Sequence, residues 1–162
     1  MGHFGYELLP TLATLVAAKQ LGFEYGSDAA FDALDCNTLA SGDADVINTT
    51  LQLIQPCLDQ VTVLASVTDK PIGILDNVPT LGSISSDAAV SLWNGLFVPK
   101  GTPPEVKARI AEIARAAIMS DKAQAIATQT GAGVFWMDAE ETAARIVSDG
   151  AKVDAISEKL GL

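Results

Sequence analysis

The chain has 162 residues, 49% of them hydrophobic and 19% charged, with 10 basic against 20 acidic side chains and a formal charge of −10. That length suits one ordinary domain or two small lobes, and it buries roughly 70% of the unfolded surface, so folding requires neither disulfides nor metal. The negative surplus disfavours DNA, RNA and anionic membranes, which are bound mainly through Lys and Arg. No apolar run reaches the roughly 18 residues of a spanning helix.

The opening residues Met1 to Gly5 show neither the basic nor the long apolar region of a secretory signal, so either the chain stays inside the cell or its natural beginning is missing. Leu8 to Leu21 predicts a helix with Pro10 in its first turn and Gly22 as its stop. Phe23–Tyr25 predicts a short strand, closed by Gly26-Ser27-Asp28. Ser27 or Asp28 would cap a helix carrying Ala30, Phe31, Leu34 and Leu39 on one face. Asp45–Ile47 reads as a second short strand and Asn48 to Leu58 as a helix, with Pro56 blurring its end. Val61 to Val67, nearly all apolar and β-branched, reads as a strand covered on both faces. This alternation of strand and helix predicts an α/β layer architecture.

Thr68 to Ala89 is rich in Gly, Pro, Ser and Asp and reads as a crossover between lobes. Three parts follow: an α/β segment over 1–67, the crossover over 68–89, and a helix-rich α/β part over 90–162. Val90 to Val98 returns to strand character. Thr102 as N-cap, Pro103 at the first helical position and Glu105 in the capping-box place open a helix with Val106, Ile110, Ile113 and Ala117 on one stripe. A shorter helix spans Asp121 to Thr130 and stops at Gly131, and Val134–Trp136 is strand-like. Asp138 and Glu141 form a capping box for a last helix whose seam is Ile146, Val153, Ile156 and Leu160.

Catalytic chemistry finds little to work with. His3 is the only histidine, and its place near the terminus fits an added residue or a frayed end as well as any role. Cys36 and Cys57 lack a conventional base other than His3 and read as two small buried hydrophobes rather than a nucleophile, a metal pair or a disulfide scaffold. Ser83, Ser85 and Ser86 sit outside any G-x-S-x-G elbow. The acidic pairs Asp43/Asp45, Glu140/Glu141 and Asp149/Asp154 have ordinary explanations as turn formers, dipole complements or a solvated face. Neither a dinucleotide nor a P-loop glycine motif is present. No catalytic residue, cofactor or metal is therefore expected. What remains is three turns, Gly5 to Thr11, Gly26 to Asp28 and Asn48 to Thr50, at the strand ends and helix starts where α/β units hold small anions on backbone N–H groups.

Four stretches, taken together, carry a resemblance. They are Phe23 to Ser27, Leu39 to Val46, Asn77 to Leu81, and Trp93 to Pro103, the last reading W-x-G-L-F-x-P-x-G-T-P. In order and spacing they resemble the substrate-binding proteins of tripartite tricarboxylate transporters, the Bug or TctC family, from about Gly5 to Leu162. The resemblance implies an α/β fold of periplasmic-binding-protein-like (type II) lobes, here partial, because only the second half of the family pattern is matched. It implies a non-enzymatic, periplasmic solute receptor for a small organic carboxylate, with membrane permease subunits as partners. By the same resemblance the ligand positions are Gly5, Tyr6 and Thr11, then Tyr25, Gly26 and Ser27 in a turn one residue shorter than usual, then Asn48 and Thr49. A chain holding part of each lobe would leave sheet edges and apolar surface unpaired, so a homodimer is expected. The alternative is a self-associating module that keeps the fold and has lost ligand binding.

Overall fold

A computed structural model describes residues 1–162. The chain is a mixed α/β protein with a minimal sheet. Strand β1 (Gly2–His3) pairs in parallel with β2 (Ala29–Ala30), in the register Gly2 to Ala29 and His3 to Ala30. On its other side β1 takes a single parallel bridge from Ile47: the Gly2 N–H donates to the Val46 carbonyl at 2.8 Å, and the Asn48 N–H to the Gly2 carbonyl at 2.9 Å. Three extended segments thus run side by side, with β1 in the middle. Gly2 is the close-packed point, since a Cβ there would stand 2.9 Å from Leu34 Cδ2.

Two compact units divide the chain. The first comprises Met1–Leu92 with Lys152–Leu162, the second Trp93–Ala151. In the first unit α1 (Leu9–Leu21) starts with a proline in its first turn and ends at Gly22, whose φ of 77° is the left-handed geometry glycine supplies most cheaply. One face of α1 supplies Leu12, Ala13, Val16 and Ala17 to the core. The rest of that core comes from Leu81, Ala88, Val90 and, on the last helix, Ile156. Val153 and Leu160 pack beside Ile156, so most of the expected seam is used, while Ile146 is exposed. Helix α2 (Cys36–Ala40) begins at Asp35, whose carboxylate accepts from the Asn37 N–H, rather than at Ser27 or Asp28. Short helices α3 (Leu51–Ile54) and α4 (Leu81–Ile84), each followed by a 3₁₀ turn, complete the unit.

The second unit is helical. Helix α5 (Pro104–Ile118) starts one residue later than expected, with Pro103 as N-cap and Pro104 opening it, and the Thr102 side chain makes no cap. Helix α6 (Asp121–Thr130) runs over the expected residues, capped by the Ser120 hydroxyl and stopped at Gly131. Helix α7 (Ala139–Leu160) opens with the expected reciprocal cap: the Asp138 carboxylate accepts from the Glu140 and Glu141 N–H groups, and the Glu141 carboxylate accepts from the Asp138 N–H. Its residues from Lys152 onward belong to the first unit.

Several expected strands do not form. Phe23–Tyr25, Val90–Val98 and Val134–Trp136 belong to no strand, and within Val61–Val67 only Ser66 pairs, in one bridge to Thr80. Apolar β-branched composition suits a strand, but a strand exists only where a second segment completes its hydrogen-bond ladder. The cysteines also differ from expectation. Cys36 and Cys57 form a disulfide, their Cα atoms 6.0 Å apart. A separation of 21 residues says nothing of distance in space; here the chain turns back over 41–50 and brings the α3 end to the start of α2.

Candidate functional site

The expected ligand positions all fall in the first unit, and the sheet sorts them. Gly5 and Tyr6 follow the C-terminal end of β1, and Thr11 lies in the first turns of α1. Asn48 and Thr49 follow the Ile47 bridge, at the same end of the parallel segments. Tyr25, Gly26 and Ser27 precede β2 and so stand at the opposite end, where the Ser27 carbonyl accepts from the Met1 ammonium at 2.7 Å. In α/β folds ligands collect beyond the C-terminal ends of strands, so the first five residues occupy the conventional location.

Side-chain contacts join that group. Asn48 Nδ2 donates to the Pro10 carbonyl at 3.2 Å and to Thr14 Oγ1, which fastens the segment after Ile47 to the first turns of α1. Thr49 Oγ1 donates to the Leu34 carbonyl at 2.6 Å, fastening the next residue to the chain entering α2. Thr11 is buried within α1. The α1 N-cap is Leu8, which has no side chain to accept from the first-turn N–H groups. Gly5 is buried and has φ 136°, a conformation that L side chains rarely adopt.

His3 had no assigned role in the sequence, yet it organises this loop. The ring is fully buried, and its Nδ1 accepts from the Gly5 N–H at 3.0 Å. An acceptor Nδ1 places the proton of the neutral ring on Nε2. Nε2 lies 3.3 Å from Asp28 Oδ2 but off the line of a hydrogen bond. That tautomer is the wrong one for a metal ligand acting through Nε2, and no cluster of three potential ligands occurs in the chain. Asp28 Oδ2 also accepts from the Tyr6 hydroxyl, and the Tyr6 ring packs against His3 with centroids 4.7 Å apart. The hydrogen bond to Asp28 raises the Tyr6 phenol above its usual pKa, assisted by burial and by the Asp28 charge. Burial raises Tyr25 similarly, and its ring meets Phe23 edge-on at 5.7 Å. Tyr6 thereby connects the loop after β1 to the residue just beyond the Tyr25–Ser27 turn. The sequence signal for His3 was its place two residues before Gly5, too short a pattern to read without the fold.

The arrangement brings backbone amides, hydroxyls and the Asn48 carboxamide to the C-terminal ends of the parallel segments. The family model described as the tripartite tricarboxylate transporter family receptor matches residues 28–162, and the chain belongs to that family. Its members are substrate-binding receptors, not enzymes. Comparison with curated proteins and with solved structures gave no match.

Proposed function

We propose that this chain is part of a periplasmic receptor that captures a small organic carboxylate and delivers it to the membrane permease subunits of a tripartite tricarboxylate-type transporter. The observation that carries the reading is the Asn48 side chain tied to the first turns of α1, which brings two expected ligand segments together beyond the ends of the parallel segments. A carboxylate there would be held by Gly5, Tyr6, Thr11, Asn48 and Thr49. Tyr25, Gly26 and Ser27 would contribute through the Tyr6–Asp28 contact that ties their turn to the loop. The family match supports the receptor class, and the Cys36–Cys57 disulfide supports an oxidising compartment such as the periplasm. Net charge does not oppose anion capture, because charges beyond about 8–10 Å are screened at physiological salt while backbone dipoles act at contact. In this reading, 1–67 and 90–162 are contributions to two lobes and 68–89 is the crossover between them.

The test is a thermal-shift screen of the chain against mono-, di- and tricarboxylates. A true ligand at 100 times its Kd adds about 2.7 kcal/mol to the folded state and raises Tm clearly. Tyr6→Phe, which removes only the hydroxyl, should shrink that shift. A flat response across the panel would sink the receptor reading for this chain.

A second reading, a self-associating module of the same fold, draws on exposed apolar side chains. Leu96 and Phe97 are 70% and 71% exposed, with Leu92 and Val98 beside them in sequence also open to solvent. Surface of this kind favours association. A stable homodimer in size exclusion, combined with no ligand shift, would select this reading, and a monomer would exclude it.

A further inference from the structure

The disulfide does not sit in the hydrophobic core. The core cluster and the apolar residues packed on it come from α1, the 65–67 segment, Leu81, Ala88, Val90 and the end of α7, and none comes from residues 36–57. Within 36–57 only Thr38 and Cys57 are buried. The bonds that hold the 46–49 stretch to the rest of the unit include the Gly2 ladder at Val46 and Asn48 and the Asn48 and Thr49 side chains, all of them polar. Local opening costs least where apolar burial is smallest, so this region depends on its cross-link more than the core does.

We propose that Cys36–Cys57 is a redox-sensitive clasp that holds the 42–50 segment against β1, independently of the core. This rests, for its functional consequence, on the receptor reading above: Asn48 and Thr49 lie inside the loop that the disulfide closes, so reduction would release two proposed ligand contacts at once. Cys36 is the more exposed partner. A dithiol reductant supplies the chemistry. Its thiolate attacks Cys36 Sγ, the S–S bond breaks, and Cys57 leaves as a thiolate that takes up a proton. The second thiol then attacks the mixed disulfide and releases Cys36, so the protein gains two electrons and two protons and the reductant becomes a cyclic disulfide.

Hydrogen exchange read by mass spectrometry tests the clasp without any ligand. The full chain is compared oxidised, reduced with dithiothreitol, and as Cys36→Ser/Cys57→Ser, with reoxidation of the reduced sample as the check that it remains folded. The expected result is at least tenfold faster exchange for amides in 42–50, with α1 amides from Leu12 to Val16 unchanged, and recovery on reoxidation. Unchanged exchange in 42–50, or acceleration spread evenly over α1, overturns the proposal: in the first case the disulfide holds nothing, and in the second it is a global staple. Citrate binding to the oxidised and reduced forms is the second arm. A tenfold or greater weakening on reduction is expected, and equal affinity in both forms overturns the functional consequence. If the oxidised chain binds no citrate or other carboxylate of the panel, the receptor reading fails, and the exchange result alone decides the clasp.

Discussion

The two units are ordered by different kinds of information. In Met1–Leu92 with Lys152–Leu162, the decisive contacts join residues far apart in sequence: Gly2 with Ala29 and Ile47, Cys36 with Cys57, and Ile156 with the α1 core. In Trp93–Ala151 the helix ends are set locally, by caps at Ser120 and Asp138 and a glycine stop at Gly131, while one long-range bond, from Trp93 Nε1 to Asp149 Oδ2 at 2.8 Å, ties its first residue to α7. Burial follows the same division. The first unit has fully buried Leu12, Val16, Leu34 and Val90, whereas α5 has no buried residue and α6 only Ala127. Apolar packing between distant segments therefore stabilises the first unit, whereas the second buries little apolar surface and has its helix ends set locally.

The largest expected effect tests that contrast directly. Leu12 is 1% exposed at the centre of the core, so Leu12→Ala should cost about 2–5 kcal/mol in denaturant unfolding, from lost burial and the cavity left behind. Ile113→Ala, on the open face of α5, should stay within about 0.5 kcal/mol of wild type. Comparable losses at both positions would mean that the apolar stripe of α5 is covered in solution, and the contrast would fall.

Next comes the loop that the site depends on. Gly5→Ala places a side chain at φ 136°, with the new Cβ 2.7 Å from Glu7 Oε2, and the backbone strain should cost about 1–3 kcal/mol. Glu7 is exposed and can move aside, so most of the cost belongs to the backbone. The loss should appear in the melting temperature, and the N–H at position 5 should lose exchange protection, because it is the donor to His3 Nδ1. A neutral effect would mean that the loop adopts another path in solution.

These differences explain what sequence reading could reach. Helices α1, α6 and α7 were legible because their stops and caps, Gly22, Gly131 and the Asp138/Glu141 pair, act within a few residues. Helix α5 was legible in extent, though Pro104 rather than Pro103 opens it and Thr102 does not cap. Strands were the weak point: Val61–Val67 and Val90–Val98 have strand composition but lack a ladder, while β1 and β2, two residues each, have no periodicity to read. Of the proposed site, the sequence offered three turns, Gly5–Thr11, Gly26–Asp28 and Asn48–Thr50, and named individual residues only through the family resemblance; that the first and third share one end of the parallel segments while Gly26 and Ser27 precede β2 depends on the pairing of β1, which two residues do not announce. The roles of His3 and Asp28 and the Cys36–Cys57 bond depend on pairing across the sheet or across a 21-residue separation, which local pattern does not encode.

A smaller effect belongs to the second unit. Asp138→Ala removes the acceptor for two first-turn N–H groups of α7 and should cost about 1 kcal/mol. Because the cap is local, helicity by circular dichroism should fall slightly while core protection at Leu12 to Val16 holds. Loss of that protection would show that the start of α7 is coupled to the α1 core, contrary to a locally ordered second unit.

The smallest effect concerns how the end of α7 is fastened. Asp87 Oδ2 meets Lys159 Nζ at 2.6 Å and accepts from Gln20 Nε2 at 2.7 Å, while Lys19 Nζ donates to the Lys159 carbonyl at 2.7 Å. The hydrogen bonds from Lys159 and Gln20, with the Lys159 charge, hold the Asp87 carboxyl below its usual range. A carboxyl with a lowered folded-state pKa stabilises the fold at pH values above its unfolded pKa, near 3.9, and that contribution disappears as pH falls through the folded value. The ion pair is exposed to solvent and salt, so the effect is small. Wild-type Tm should therefore fall more steeply than that of Asp87→Asn between about pH 5 and pH 2, with the two curves converging at the acid end. Parallel curves throughout would show that Asp87 is unpaired in solution, leaving the packing of Val153, Ile156 and Leu160 and the Lys19 bond to the Lys159 carbonyl to fasten the end of α7.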